Sequence, residues 1–189
     1  MILIAVNVIL FLIVDFTGGT ENTGYMLQWG ASFPPAIIEQ GEWYRLFSSM
    51  FLHFGISHLL NNMLLLFVLG QRIEPVVGKL RYLLFYILGG LAGNWLSLLW
   101  EIKKDAYSVS AGASGAIFAL MGVMICLMIR HKGHVKDLSA RQVMIMAALS
   151  LYFGFASQGV DNAAHMGGML GGFLLTLLLY RRNSALQTK

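Results

Sequence analysis

Hydrophobic positions in this chain come in long runs, without the alternation of a half-buried strand or the single stripe of a soluble amphipathic helix. Six runs stand out, at about 1 to 15, 46 to 71, 81 to 100, 112 to 130, 141 to 157 and 163 to 180. Most are close to or above the roughly 20 residues that a helix rising 1.5 Å per residue needs to cross a bilayer, and the first is the shortest. The pattern predicts an all-α, polytopic membrane protein: six transmembrane helices in one bundle, forming a single domain over residues 1–189. Helices suit that setting because hydrocarbon leaves every backbone polar group to be paired within the segment.

Composition agrees. Of 189 residues, 57% are apolar and 12% charged, with a mean hydropathy of +0.69, too apolar for an ordinary soluble domain. The run from Met1 to Phe16 has no basic region before it and no small-x-small cleavage site after it, so it is expected to be the first spanning helix and not a cleaved signal. Cys126 is the single cysteine, which excludes an intrachain disulfide and a cysteine-based metal site. The eleven methionines read mostly as apolar filler.

Charge then sets the expected topology. Arg72, Lys79, Arg81, Arg130, Lys132, Lys136, Arg141, Arg181, Arg182 and Lys189 fall in the connections after runs two and four and in the tail from about 181 to 189. The alternate connections hold Arg45, Lys103 and Lys104 among seven acidic residues. By the positive-inside rule both termini are expected in the cytoplasm. A pI near 9.3 therefore calls for no nucleic-acid partner, only contact with membrane lipid headgroups. The connection from about 16 to 44 is long for a bundle and mixes Gly18, Gly19, Gly24, Gly30 and Pro34-Pro35 with Tyr25, Trp29 and Phe33. It is expected to be a partly inserted interfacial loop.

Polar residues inside spanning segments are costly, and each raises a functional question. Ser114 lies in Gly112-Ala113-Ser114-Gly115 at the head of run four, His165 near the head of run six, and His53, His58, Asn61 and Asn62 in the outer part of run two. The expected topology brings all of them to one depth. A serine hydroxyl needs a base to become a nucleophile, and histidine is the usual one at neutral pH. Glycines at 112 and 115 leave room for a carbonyl, and a helix N-terminus favours a developing oxyanion. His58 and Asn62, four apart, share a helix face from which both could donate. Read singly, each feature has a plainer meaning: the glycine-flanked serine and the glycines after His165 suit close helix packing, and Asn62 could tie two helices together.

Taken together, these residues resemble the rhomboid intramembrane serine proteases. The resemblance rests on Trp43-Tyr44-Arg45, the run from Phe51 to Asn62, Glu74, Gly112 to Gly115, and Ala164 to Gly168, and it covers essentially the whole chain in order. It implies that Ser114 is the nucleophile and His165 the general base of a dyad, with His58, Asn62 and the Ser114 N–H forming the oxyanion hole. It further implies an acyl-enzyme route on a transmembrane protein substrate, with the site open to the outer face; the minimal six-helix core with no targeting segment leads us to expect a bacterial cytoplasmic membrane. Asp161, four residues before His165, reads as a helix cap and not a third catalytic member. Residues from Gly154 to Asn162 are expected to form a mobile cap over the site. Phe118, where many relatives carry tyrosine, keeps a stacking surface for His165. Arg45 is expected to anchor the long loop, Glu74 to bond nearby backbone, and His53 to pack a loop. No metal or organic cofactor is expected. Two other readings compete: an inactive relative that binds transmembrane clients, disfavoured by the complete residue set, and a small transporter, disfavoured because the halves show no convincing repeat.

Overall fold

The computed structural model describes residues 1–135, 137–156 and 160–180. The described residues are all-α apart from one antiparallel ribbon of two two-residue strands. In chain order the elements are α1 Ile2–Gly18, α2 Thr23–Gln28, α3 Pro34–Ile38, α4 Arg45–Ser48 with a 3-10 turn Ser49–Phe51, α5 Gly55–Val77, α6 Lys79–Lys104, α7 Ser114–Arg130, the ribbon β1 His134–Val135 and β2 Leu138–Ser139, α8 Ala140–Ala156 and α9 Asn162–Leu179.

The expected run from 46 to 71 is not one straight helix. Arg45–Phe51 and Gly55–Val77 are bent by 90°, and Gly55 sits at φ +70° at the corner, a region that favours glycine. His53 therefore lies in the corner and not on α5, a correction to its expected place. By length and apolarity α6 and α9 can each cross a membrane, and the bent pair can if counted as one span; α1 and α7 are apolar but shorter, with 17 residues each. A length of 17 residues gives about 26 Å of helix. For α7 the shortness goes with its place at the centre: nearly all of its side chains from Gly115 to Met128 are buried.

Around α7 the backbones come into direct contact. A Cβ on Gly168 or Gly172 would collide with the carbonyls of Gly115 or Ala119, and one on Gly93 would lie 2.6 Å from the Ala164 carbonyl oxygen. Small residues thus let α6, α7 and α9 pack at backbone distance, the usual source of stability where lipid removes the hydrophobic drive between helices. The packing reading of the glycines after His165 holds alongside any chemical one.

The long first connection is ordered. Asn22 caps α2 by accepting from the Tyr25 N–H at 3.0 Å, and Pro34 and Pro35 occupy the first turn of α3, where a missing N–H costs nothing. Arg45, 8% exposed, donates to the carbonyls of Leu27 at 2.7 Å and Ala31 at 2.9 Å and pairs with Glu42 at 2.6 Å. The expected anchoring role of Arg45 is thus visible. Ser48 adds a bond to the Gly30 carbonyl at 2.7 Å, and Trp43 packs on Trp95 of α6. At the other end of the bundle Arg130 donates to the carbonyls of Tyr180 and Leu177, capping α9 with a cation as the helix dipole favours. Glu74 lines a cavity of about 180 Å³ with Gly70 and Tyr82. Among the described residues its carboxylate makes no hydrogen bond, so the expected bond to backbone is not found.

Candidate active site

Ser114 is the first residue of α7. The helical ladder opens with the Ile117 N–H on the Ala113 carbonyl at 2.9 Å, so the N–H groups of Ser114, Gly115 and Ala116 precede it. These are the donors that a helix start offers to a negative charge. The approach to Ser114 is held from three directions. Gly112 N–H donates to the Ser49 carbonyl at 2.9 Å, Ala113 N–H donates to His53 Nε2 at 3.4 Å, and Ser110 exchanges backbone bonds with Ser32 at 2.8 and 2.9 Å. The long first connection and the corner before α5 therefore fix the turn that carries the serine.

His58, in the first turn of α5, faces this turn. A Cβ on Gly112 would lie 2.8 Å from His58 Cε1, 2.9 Å from Nε2 and 3.7 Å from Ser114 Oγ, so the His58 ring and the Ser114 hydroxyl border the same point. Gly112 itself has φ +148°, and both its backbone and its lack of a side chain are needed there. Asn62 is buried one turn further on; its Nδ2 donates to the His58 carbonyl at 3.1 Å, which occupies one of its two amide hydrogens. His53 meets the edge of His58 with ring centroids 5.2 Å apart.

His165 is 5% exposed in the first turn of α9. Its ring stacks on Phe118, 4.1 Å between centroids and 12° from parallel, and Phe118 stands one turn after Ser114 on α7. A Cβ on Gly115 would sit 3.6 Å from the Ala164 carbonyl oxygen, so the residues following Ser114 and preceding His165 are neighbours. Among the described residues the buried Nδ1 atom of His165 has no hydrogen-bond partner.

Asp161 caps α9: its Oδ1 accepts the Ala164 N–H at 2.9 Å and its Oδ2 accepts the Ser97 hydroxyl at 2.5 Å. Both oxygens are engaged away from the imidazole, as expected of a cap. Of the expected cover from Gly154 to Asn162, residues 157–159 lie outside the described residues. Asn94 was not singled out in the sequence, although it interrupts an apolar run. Its Nδ2 bonds the Leu46 carbonyl at 2.7 Å and the Ser49 hydroxyl at 3.1 Å, and its Oδ1 faces Gly115. It ties α6 to the corner that carries Ser49. No cluster of metal-binding side chains occurs among the described residues.

A family model described as Rhomboid domain matches residues 40–182. The chain belongs to the rhomboid family. It is 34% identical over 93% of its length to the Rhomboid protease GluP of Bacillus subtilis, 37% identical over 77% to RHOMBOID-like protein 5 of Arabidopsis thaliana, and 36% identical over 87% to RHOMBOID-like protein 6, mitochondrial, of the same plant. The chain spans 34% of GluP and 47% and 52% of the two plant proteins. Rhomboid membership together with the apolar helices makes it an integral membrane protein.

Proposed function

We propose that this rhomboid chain is an intramembrane serine endopeptidase that cuts transmembrane protein substrates in or near their membrane helices. The observation that carries the reading is the meeting of Ser114 Oγ and the His58 ring beside Gly112, with His165 stacked on Phe118 one turn along the same helix. Ser114 Oγ attacks the peptide carbonyl while His165 takes its proton, forming the Oγ–C bond. The oxyanion is met by the Ser114 N–H, His58 and the free amide hydrogen of Asn62. His165 then gives the proton to the departing amine as the C–N bond breaks. Water, deprotonated by His165, hydrolyses the acyl-enzyme and restores the serine. The chain's own groups suffice for each step, and no cofactor or metal enters.

In this reading the six helices form one six-span bundle with both termini cytoplasmic, as the charge distribution favours, and the site opens to the outer face, which supplies water. GluP, named a protease, supports the activity. The complete set of Ser114, His165, His58 and Asn62 weighs against an inactive client-binding role. Cleavage of a model transmembrane substrate by purified protein in liposomes tests the proposal. Wild type is expected to cut, and Ser114→Ala and His165→Ala to be inert while folded. An inert wild type that also resists a serine-directed fluorophosphonate would favour the client-binding role instead.

A further inference from the structure

The end of the bundle that carries Ser114 also holds a second cavity, which the proposed chemistry does not use. It has a volume of about 700 Å³, within the usual range of ligand sites, and lies between the C-terminal end of α6 and the start of α9. Trp100, Glu101, Lys104, Ser108 and Asp161 line its polar part. A shallow apolar groove of about 640 Å³ runs along the α6 and α9 surface from Leu96 past Ala92 to Leu88, facing Gly171 and Leu174. Leu96 belongs to both, and Met166 in the cavity is followed by Gly167 in the groove. A polar chamber thus continues into an apolar channel along a lipid-facing surface, whose Leu88, Trp95, Leu170 and Leu174 are all more than two-fifths exposed.

We infer that this paired cavity and groove is a binding site for a phospholipid with a primary-amine headgroup, its acyl chain lying in the groove. The inference is independent of the proposed proteolysis. Charge complementarity selects the headgroup. Two carboxylates and one ammonium line the chamber, so an anionic lipid meets net repulsion. Ser108 donates both its N–H, at 3.1 Å, and its hydroxyl to Glu101 Oε1, so a ligand's donor can be taken by Glu101 Oε2. A primary ammonium supplies that donor, and the lipid phosphate meets Lys104. A choline headgroup has no N–H to offer. Nor does it find an open aromatic face, because Lys104 Nζ already lies 4.7 Å from the Trp100 ring centre.

Native mass spectrometry of the delipidated protein, titrated with equal concentrations of dioleoyl phosphatidylethanolamine, phosphatidylglycerol and phosphatidylcholine, tests the site. Phosphatidylethanolamine is expected to be retained about fivefold over either competitor, the effect of one charge contact near a membrane surface. Glu101→Gln, which can still accept from Ser108, is expected to erase the preference without moving the unfolding temperature. Should that variant fold poorly, Lys104→Gln on the exposed helix end is expected to lower retention instead. Equal retention of the three lipids, a preference for phosphatidylglycerol, a preference that survives both substitutions, or displacement of lipid by a transmembrane peptide at equal concentration would overturn the inference.

Discussion

Gly112→Ala isolates the geometry around Ser114 from its chemistry, because no reacting group is removed. The added methyl would meet His58 at 2.8 Å (Cε1) and 2.9 Å (Nε2), whereas Ser114 Oγ is left at an ordinary 3.7 Å. Two consequences follow. The backbone at φ +148° must hold a residue with a Cβ, a strain of about 1 to 3 kcal/mol. The His58 ring, being a side chain, gives way before the backbone does, and its Nε2 leaves the point it shares with the serine hydroxyl. Loss of one oxyanion donor lowers turnover by roughly 10² to 10³. Cleavage in liposomes, with thermal unfolding measured in parallel, is therefore expected to show a fall of that size with the protein folded. His58→Ala is expected to cost about the same, and with the ring gone the methyl has room, so the double variant should be no slower than His58→Ala alone. Near-normal turnover in Gly112→Ala, or losses that multiply in the double variant, would show that the methyl does not act through the His58 ring.

Asp161→Asn keeps a good N-cap and is expected to leave cleavage within about twofold, whereas a triad member would cost about 10⁴ in turnover; the kinetic assay separates the two. Arg45→Ala strands the carbonyls of Leu27 and Ala31 inside the protein and is expected to lower stability by about 2 to 5 kcal/mol, read as an earlier unfolding transition in detergent. At His53, a side chain that still accepts from the Ala113 N–H should preserve the serine turn. His53→Gln is thus expected to label with a fluorophosphonate at close to the wild-type rate and His53→Leu several-fold more slowly.

The parts of this fold that a linear reading recovers are those set by local hydrophobicity. The bounds of α6 and α9 lie within a few residues of the runs from 81 to 100 and 163 to 180, because lipid-facing helices carry their length requirement in their own composition. The corner at Leu52–Gly55 was hidden for the same reason. The run through it stays mainly apolar despite Ser48, Ser49, His53 and Gly55, and only the bonds from Gly112 to Ser49 and from Ala113 to His53 show why the chain turns there. Those bonds depend on residues some 60 positions apart. Ser114, His165, His58 and Asn62 stood out as polar groups in apolar surroundings. Asn94 met the same criterion, yet nothing near it in sequence suggested a partner, since its bonds reach across to Leu46 and Ser49. The close approach of α7 and α9 was half visible: the glycines after His165 announced packing, but which carbonyls they meet is a property of the assembled bundle.

Proteolysis by the Ser114–His165 pair is tested by cleavage of one model transmembrane substrate, in liposomes, by the wild-type protein and by Ser114→Ala and His165→Ala of matched unfolding temperature. Wild type alone is expected to cut, with the products defining a single peptide bond in or beside the substrate's membrane helix. Cutting that persists in either variant, or a folded wild type that leaves the substrate intact and its serine unlabelled by fluorophosphonate, would contradict a Ser114–His165 protease.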